Sequence, residues 1–216
     1  MAATSARKTR GGLAEYERKR DFARTPEPAP RRARSATRRS FVIQKHRATA
    51  LHYDFRLEIG DAMPSWAVPK GPSLDPSQKR LAMQVEDHPL EYAGFEGVIP
   101  EGEYGGGTVM IWDEGTYEVL EDDDPAAALR RGEIRFTLAG RKLSGRWTLV
   151  RTGARKWLLI KGRDKYARTT DITQTRARSV RTKRLLAQIA RDEGGNVEKA
   201  ATGDPPPRTT TPPSRR

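Results

Sequence analysis

Between Phe41 and Lys161 the chain is cut at short intervals by turn-forming residues. Gly60-Asp61, Lys70-Gly71-Pro72, Pro100-Glu101-Gly102, Gly105-Gly106-Gly107 and Asp113-Glu114-Gly115 are the clearest breaks. The stretches between them read as strands at 41–45, 51–59, 64–69, 80–87, 95–99, 108–112, 115–120, 133–138, 145–151 and 156–161. Many short strands with close punctuation predict an antiparallel barrel or sandwich. One short helix, Pro125 to Arg131, interrupts them; Asp124 suits its N-terminal cap and Gly132 its stop.

The flanks differ in character. Residues 1–12 are small and basic and are expected to be disordered. Leu13 to Phe22 fits a short helix, ended by Pro26, Pro28 and Pro30, and 31–39 is a basic linker. After Tyr166 the apolar pattern thins, leaving a short basic helix near Val180 to Ile189 and a Pro/Thr/Arg-rich end. The reading is a basic arm (1–40), a mainly all-β domain (41–163) and a basic tail (164–216), with disordered tails.

The net charge is +13, with basic flanks around an acidic middle. That distribution points to a nucleic acid gripped by the flanks, against the alternative that arginine-rich ends only confer solubility. There is no cysteine, so disulfides and thiolate metal sites are excluded. With no apolar run of membrane-spanning length and no signal-peptide pattern, a cytoplasmic, nucleoid-associated location is expected.

The chemistry concentrates at residues 46–56. Leu51, Tyr53, Phe55 and Leu57 alternate with His52, Asp54 and Arg56, a period-two strand pattern. One face therefore carries an imidazole, a carboxylate and a guanidinium at steps of about 7 Å. His46 lies six residues before His52, across a short turn. Two imidazoles and a carboxylate suit a divalent transition metal, and Arg56 could grip a phosphate or carboxylate bound to it. The plain alternative is a sheet with one wet face. Glu86-Asp87-His88-Pro89-Leu90-Glu91-Tyr92 is a second polar cluster, where His88 and Tyr92 suit phosphate contact or proton donation, or else a surface turn. Lys70-Gly71 is not a P-loop, because the surrounding glycine frame is missing.

Longer motifs then align with a known family. Gln44-Lys45-His46, Leu51 to Glu58, Ser65 to Ser73, Val85 to Pro89 with Tyr92, Phe95-Glu96-Gly97, Ile99-Pro100 and Gly102-Glu103-Tyr104-Gly105 resemble the 3′-phosphoesterase domain of bacterial DNA ligase D. The resemblance starts at Lys19-Arg20-Asp21-Phe22 and Thr25 to Pro28 and covers about residues 13–163. It implies a compact antiparallel β-barrel and a manganese-dependent enzyme of non-homologous end joining. Such an enzyme removes a terminal ribonucleoside from a primer strand and then the remaining 3′-phosphate, leaving a 3′-OH.

By position the resemblance makes His46, His52 and Asp54 metal ligands, for Mn²⁺ or another divalent transition metal. Arg56, Lys70, Arg80 and His88 become phosphate-binding or catalytic groups. Glu86 and Tyr92 become further active-site residues, and Arg20, Asp21 and Glu27 a functional N-terminal segment. The implied partner is a DNA 3′ end on a primer-template, with an end-joining ligase, polymerase and end-binding proteins acting in trans on a monomer. At 216 residues the chain leaves no room for ligase or polymerase domains, so a freestanding member is expected. Two rival readings are a non-catalytic DNA-binding adaptor and a non-haem iron oxygenase. The second usually has His-x-Asp followed by a distant histidine, whereas here the other histidine precedes closely.

Overall fold

The computed structural model describes residues 6–31, 39–120 and 124–206, with side chains from residue 12 onward in the first of these. The alternating segments pair into one antiparallel sheet that closes on itself. Its strands are β1 (Ser40–Arg47), β2 (Leu51–Leu57), β4 (Ser65–Val68), β5 (Arg80–Gln84), β8 (Gly107–Val119), β9 (Glu133–Gly140), β10 (Ser144–Arg151) and β11 (Lys156–Lys161). Around the ring the order is β1-β2-β4-β5-β11-β10-β9-β8, and β8 returns to pair with β1. Closure leaves no edge within the ring, and β7 (Gly97–Ile99) adds to β8 outside it. A two-residue ladder joins β3 (Ala62–Met63) to β6 (His88–Pro89).

The inward residues form the core: Phe41 and Ile43 on β1, Tyr53, Phe55 and Leu57 on β2, and Trp66, Trp112, Trp147 and Trp157 from four further strands. Two strands expected at 108–112 and 115–120 are one strand, β8. Asp113-Glu114-Gly115 does not end it, because a bulge absorbs the irregularity. Ile43 pairs with Asp113 and Gln44 with Ile111, so Trp112 is the extra residue. The inward set therefore shifts from Met110 and Trp112 to Tyr117. Asp113 turns its carboxylate to the backbone N–H groups of Lys142 and Leu143 in the β9–β10 turn.

Five α-helices decorate the barrel among the described residues. Helix α2 (Pro125–Arg131) has the expected ends: Asp124 accepts from the Ala126 N–H, and Gly132 closes it at φ 93°. Helix α1 (Ala6–Arg18) starts and stops earlier than the expected 13–22 segment and overlaps residues expected to be disordered. The basic linker lies mostly outside the described residues, at 32–38.

The larger correction concerns 164–206. This stretch folds as α3 (Ile172–Thr175), α4 (Leu186–Asp192) and α5 (Val197–Ala201), not as a disordered tail. Ile172, Leu186, Ile189, Ala190 and Ala200 join the barrel core, so a few well-spaced apolar residues outweigh the polar average of the segment. Several of its cations are also committed. Arg181 pairs with Glu114 at 2.6 Å, Arg184 with Asp192 at 3.0 Å, and Arg178 donates to the Lys183 carbonyl. Residues 207–216 lie outside the described ones. No described helix is long and apolar enough to cross a membrane.

Candidate active site

On β1 and β2 the outward residues are Val42, Gln44 and His46, and His52, Asp54 and Arg56. The hairpin register sets His46 opposite His52 and Gln44 opposite Asp54. This outer face is not wet: Asp54 is 6% exposed and Arg56 2%. Residues Tyr16 to Pro30, the Val85–Tyr92 segment and the loop before β8 close over it. Tyr16 is fully buried, its ring 5.0 Å from His88 and 6.0 Å from Tyr92, while its hydroxyl donates to the Pro28 carbonyl. A 280 Å³ cavity remains beneath this cover.

On the cavity floor His46, His52 and Asp54 bring one donor atom each within 4.8 Å of the others. His46 Nε2 bonds the Gly105 carbonyl at 2.8 Å, and His52 Nδ1 bonds the Ala50 carbonyl at 3.0 Å. A carbonyl can only accept, so these nitrogens carry the protons, and the other ring nitrogens present lone pairs. Those nitrogens, His46 Nδ1 and His52 Nε2, stand 3.7 and 3.6 Å from Asp54 Oδ2. Donors at about 2.0–2.2 Å from a common ion lie roughly 3–3.5 Å apart, so the set fits a divalent transition metal with little movement. Burial would raise the Asp54 pKa, but the charge of the adjacent Arg56 guanidinium leads the opposing effects, and the carboxyl is held well below the usual range. Burial likewise opposes a charged His52, and Asp54 reverses this, so the His52 pKa is raised.

Arg56 is braced on three sides. Nη2 lies 3.1 Å from Asp54 Oδ2, Nε donates to Gln44 Oε1 at 2.8 Å, and Nη1 donates to Ser65 Oγ at 2.8 Å. These contacts use three of its five N–H donors and leave two to meet an anion. Gln44 is itself fixed by donating to the carbonyls of Tyr92 and Phe95.

The opposite wall is a second charge network. Arg20 meets Glu27 at 2.9 Å and Glu86 at 3.4 Å, and Lys19 meets Glu86 at 3.1 Å. Arg20 Nη2 lies 3.3 Å from His88 Nε2, and His88 Nδ1 bonds the Glu86 carbonyl. Because Arg20 only donates, His88 Nε2 is an acceptor. Burial and the nearby charges of Arg56 and Arg20 push the His88 pKa well below its ordinary value. His88 Nε2 thus faces Arg20 as an acceptor, and burial favours the neutral ring. Tyr92 lies between His88, 4.6 Å between ring centroids, and the Arg56 guanidinium, 4.9 Å from its ring centre, and burial raises its pKa.

Of the residues singled out in the sequence, His46, His52, Asp54, Arg56, Glu86, His88, Tyr92, Arg20 and Glu27 line this cavity. Asp21, Lys70 and Arg80 do not. Asp21 is exposed and caps a turn by accepting from the Ala23 N–H. Lys70 is exposed after β4, and Arg80 opens β5. Each lies three residues beyond the last β4–β5 pair, Ala67 and Met83, a reach on the order of 10 Å from the cavity wall. As site residues, sequence reading passes over four contributors: Lys19, Gln44, Ser65 and Tyr104. Gln44 is open to discovery, since it shares the outward parity of His46 on β1.

The sequence matches a family model described as the DNA ligase D 3′-phosphoesterase domain over residues 44–151. It is 52% identical over 183 residues to the multifunctional non-homologous end joining protein LigD of Pseudomonas aeruginosa, covering 81% of this chain and 22% of that protein. It is 50% identical over 149 residues to the Mycobacterium tuberculosis H37Rv DNA repair protein LigD, covering 68% of this chain and 19% of that one. The Mycolicibacterium smegmatis LigD is 43% identical over 167 residues, covering 74% and 22%. The chain thus spans about a fifth of the length of these relatives.

Proposed function

This chain belongs to the DNA ligase D 3′-phosphoesterase family, and we propose that it is a Mn²⁺-dependent hydrolase acting on the 3′ ends of DNA in non-homologous end joining. Its substrates on this reading are a primer-template ending in a ribonucleotide, trimmed to a 3′-phosphate, and that 3′-phosphate, removed to leave a 3′-OH. The observation that carries the reading is the convergence of two imidazole lone pairs on an ionised Asp54 beside a braced Arg56.

Phosphoryl transfer gains most from neutralising the non-bridging oxygens. A divalent metal held by His46, His52 and Asp54 would supply Lewis acidity and lower the pKa of a water. Mn²⁺ is the proposed occupant, although Zn²⁺ or Fe²⁺ would bind the same donors, since intrinsic affinity does not favour manganese. Arg56 directs its two remaining donors at the phosphoryl group without needing to reorganise. Arg20 takes the far side of the anion, oriented by Glu27, Glu86 and His88. Lys70 and Arg80, outside the cavity, suit the strand further from the break. The adaptor reading leaves the paired tautomers of His46 and His52 without a purpose.

The test is incubation with Mn²⁺ and a labelled primer-template ending in one ribonucleotide, reading the 3′ product over time. A 3′-phosphate followed by a 3′-OH is expected. Absence of any hydrolysed end across Mn²⁺, Zn²⁺ and Fe²⁺ would return the adaptor reading.

A further inference from the structure

We infer that Tyr104 is the platform on which the base of the 3′-terminal nucleotide stacks, an inference that rests on the reaction proposed above. Around the cavity the polar groups are buried and braced, whereas Tyr104, which also lines it, is 47% exposed. The other tyrosine of the lining, Tyr92, is enclosed between His88 and Arg56 and has no free face for a ligand.

Tyr104 is also tied to the reacting end. It precedes Gly105, whose carbonyl receives the Nε2–H of His46. The loop is shaped by Gly102 at φ 92° and Gly105 at φ 78°, conformations that favour glycine. It is closed by Glu103 and Gly106 N–H groups donating to Pro100 and Glu103 carbonyls. Lys19 Nζ holds the tyrosine hydroxyl at 3.1 Å and lies 4.5 Å from the ring centre, anchored in turn by Glu15 and Glu86. The ring is thus positioned before anything binds.

In the first hydrolytic step the leaving group is a nucleoside, whose base lies one sugar away from the phosphorus. With the phosphoryl group beside Asp54 and Arg56, an exposed ring at the cavity is the surface that base can meet. Every base has a π face, so such a platform accepts any terminal nucleotide. Once the nucleoside has gone, the 3′-phosphate substrate no longer offers a base there.

The experiment compares the full chain with Tyr104→Ala and Tyr104→Phe on three duplexes: one ending in a ribonucleotide, one in an abasic ribose and one in a 3′-phosphate. Tyr104→Ala is expected to raise KM for the ribonucleotide end by roughly 5- to 150-fold, the range of base–aromatic stacking, with a smaller change in kcat. The abasic end should already be that weak in the wild type and should lose little more in the variant, the non-additivity of two changes to one contact. Tyr104→Phe loses the hydroxyl contact but keeps the ring, the glycine-shaped loop and the Lys19 ammonium beside the ring, and should stay much closer to the wild type than Tyr104→Ala. The preference for ribonucleotide over 3′-phosphate ends should fall in Tyr104→Ala. Equal losses on intact and abasic ends, or equal damage from Tyr104→Phe, would overturn stacking and make Tyr104 a prop for Lys19. Fluorescence anisotropy of the intact and abasic duplexes, taken without metal, repeats the comparison independently of turnover. A wild type that hydrolyses nothing would therefore sink the reaction, while anisotropy alone decides the platform.

Discussion

Asp54 holds two jobs at once: it faces both histidines and neutralises a buried guanidinium. Removing it and removing His52 should therefore have different consequences. The His52 side chain keeps 21% exposure, and its neighbours Leu51 and Tyr53 retain their packing. His52→Ala is expected to abolish 3′-end hydrolysis and weaken Mn²⁺ binding while melting near the wild-type temperature. Asp54→Ala should do the same and also destabilise by about 3 kcal/mol, because Arg56 is left buried without its carboxylate. Isothermal titration with Mn²⁺ and urea unfolding of both variants check this. Undiminished Mn²⁺ affinity in either would remove that residue from the ligand set. An Asp54→Ala protein as stable as His52→Ala would mean that Gln44 and Ser65 alone satisfy Arg56.

Among the elements, the pair α4–α5 is the one whose importance exceeds its appearance. It adds Leu186, Ile189, Ala190 and Ala200 to the barrel core. It also steadies the hairpin that carries the candidate metal ligands: Arg47 Nε donates to Thr202 Oγ1 at 2.7 Å. A Cβ on Gly203 would stand 3.1 Å from Leu51, so the backbone there lies close against β2. Asp204 caps α4 by accepting from the N–H groups of Leu186 and Ala187. By composition the segment is a dispensable source of DNA affinity, and turnover would survive truncation at Tyr166. The structure argues the reverse. Losing Leu186 and Ile189 alone forfeits about 2 kcal/mol each of burial, against a total stability of about 5–15 kcal/mol. Residues 1–166 are expected to lack a cooperative thermal transition by circular dichroism. A cooperative melt with bound Mn²⁺ would make α4–α5 an ornament.

At the scale of the molecule, buried titrating groups set how stability follows pH. Burial raises the pKa of Asp113 to about 6, and that of Asp87 also to about 6, with Glu15 and Glu86 adding to the second. Between their ordinary range near 3.8 and pH 6 the folded protein binds more protons than the unfolded chain, so these groups make stability fall as pH rises through that window. Lys142 runs the other way. Burial lowers its pKa to about 7, so between pH 7 and 10.5 the unfolded chain binds more protons and the Lys142 contribution rises with pH. Urea unfolding at pH 4, 6, 7 and 9 should show a shallower decline from pH 4 to 6 in Asp113→Asn, and loss of the alkaline gain in Lys142→Met. Parallel curves for wild type and variants would show that these sites titrate as they do in the unfolded chain.

Backbone geometry alone makes much of this legible. A strand turns successive side chains to opposite faces, so the alternation at 51–57 by itself separates the core set from the polar set. The candidate metal ligands are local, within one hairpin, and Asp124 and Gly132 mark their helix for equally local reasons. What covers a face is not local. Arg20, Glu27, Glu86 and His88 line the same cavity as the hairpin residues although they lie far from them along the chain, and the segments that fold over this face bury Asp54 and Arg56. The same closure leaves Asp21, Lys70 and Arg80 outside the cavity. It also turns a polar, arginine-rich segment into part of the core, because burial depends on which few apolar side chains find a partner and not on the average composition around them.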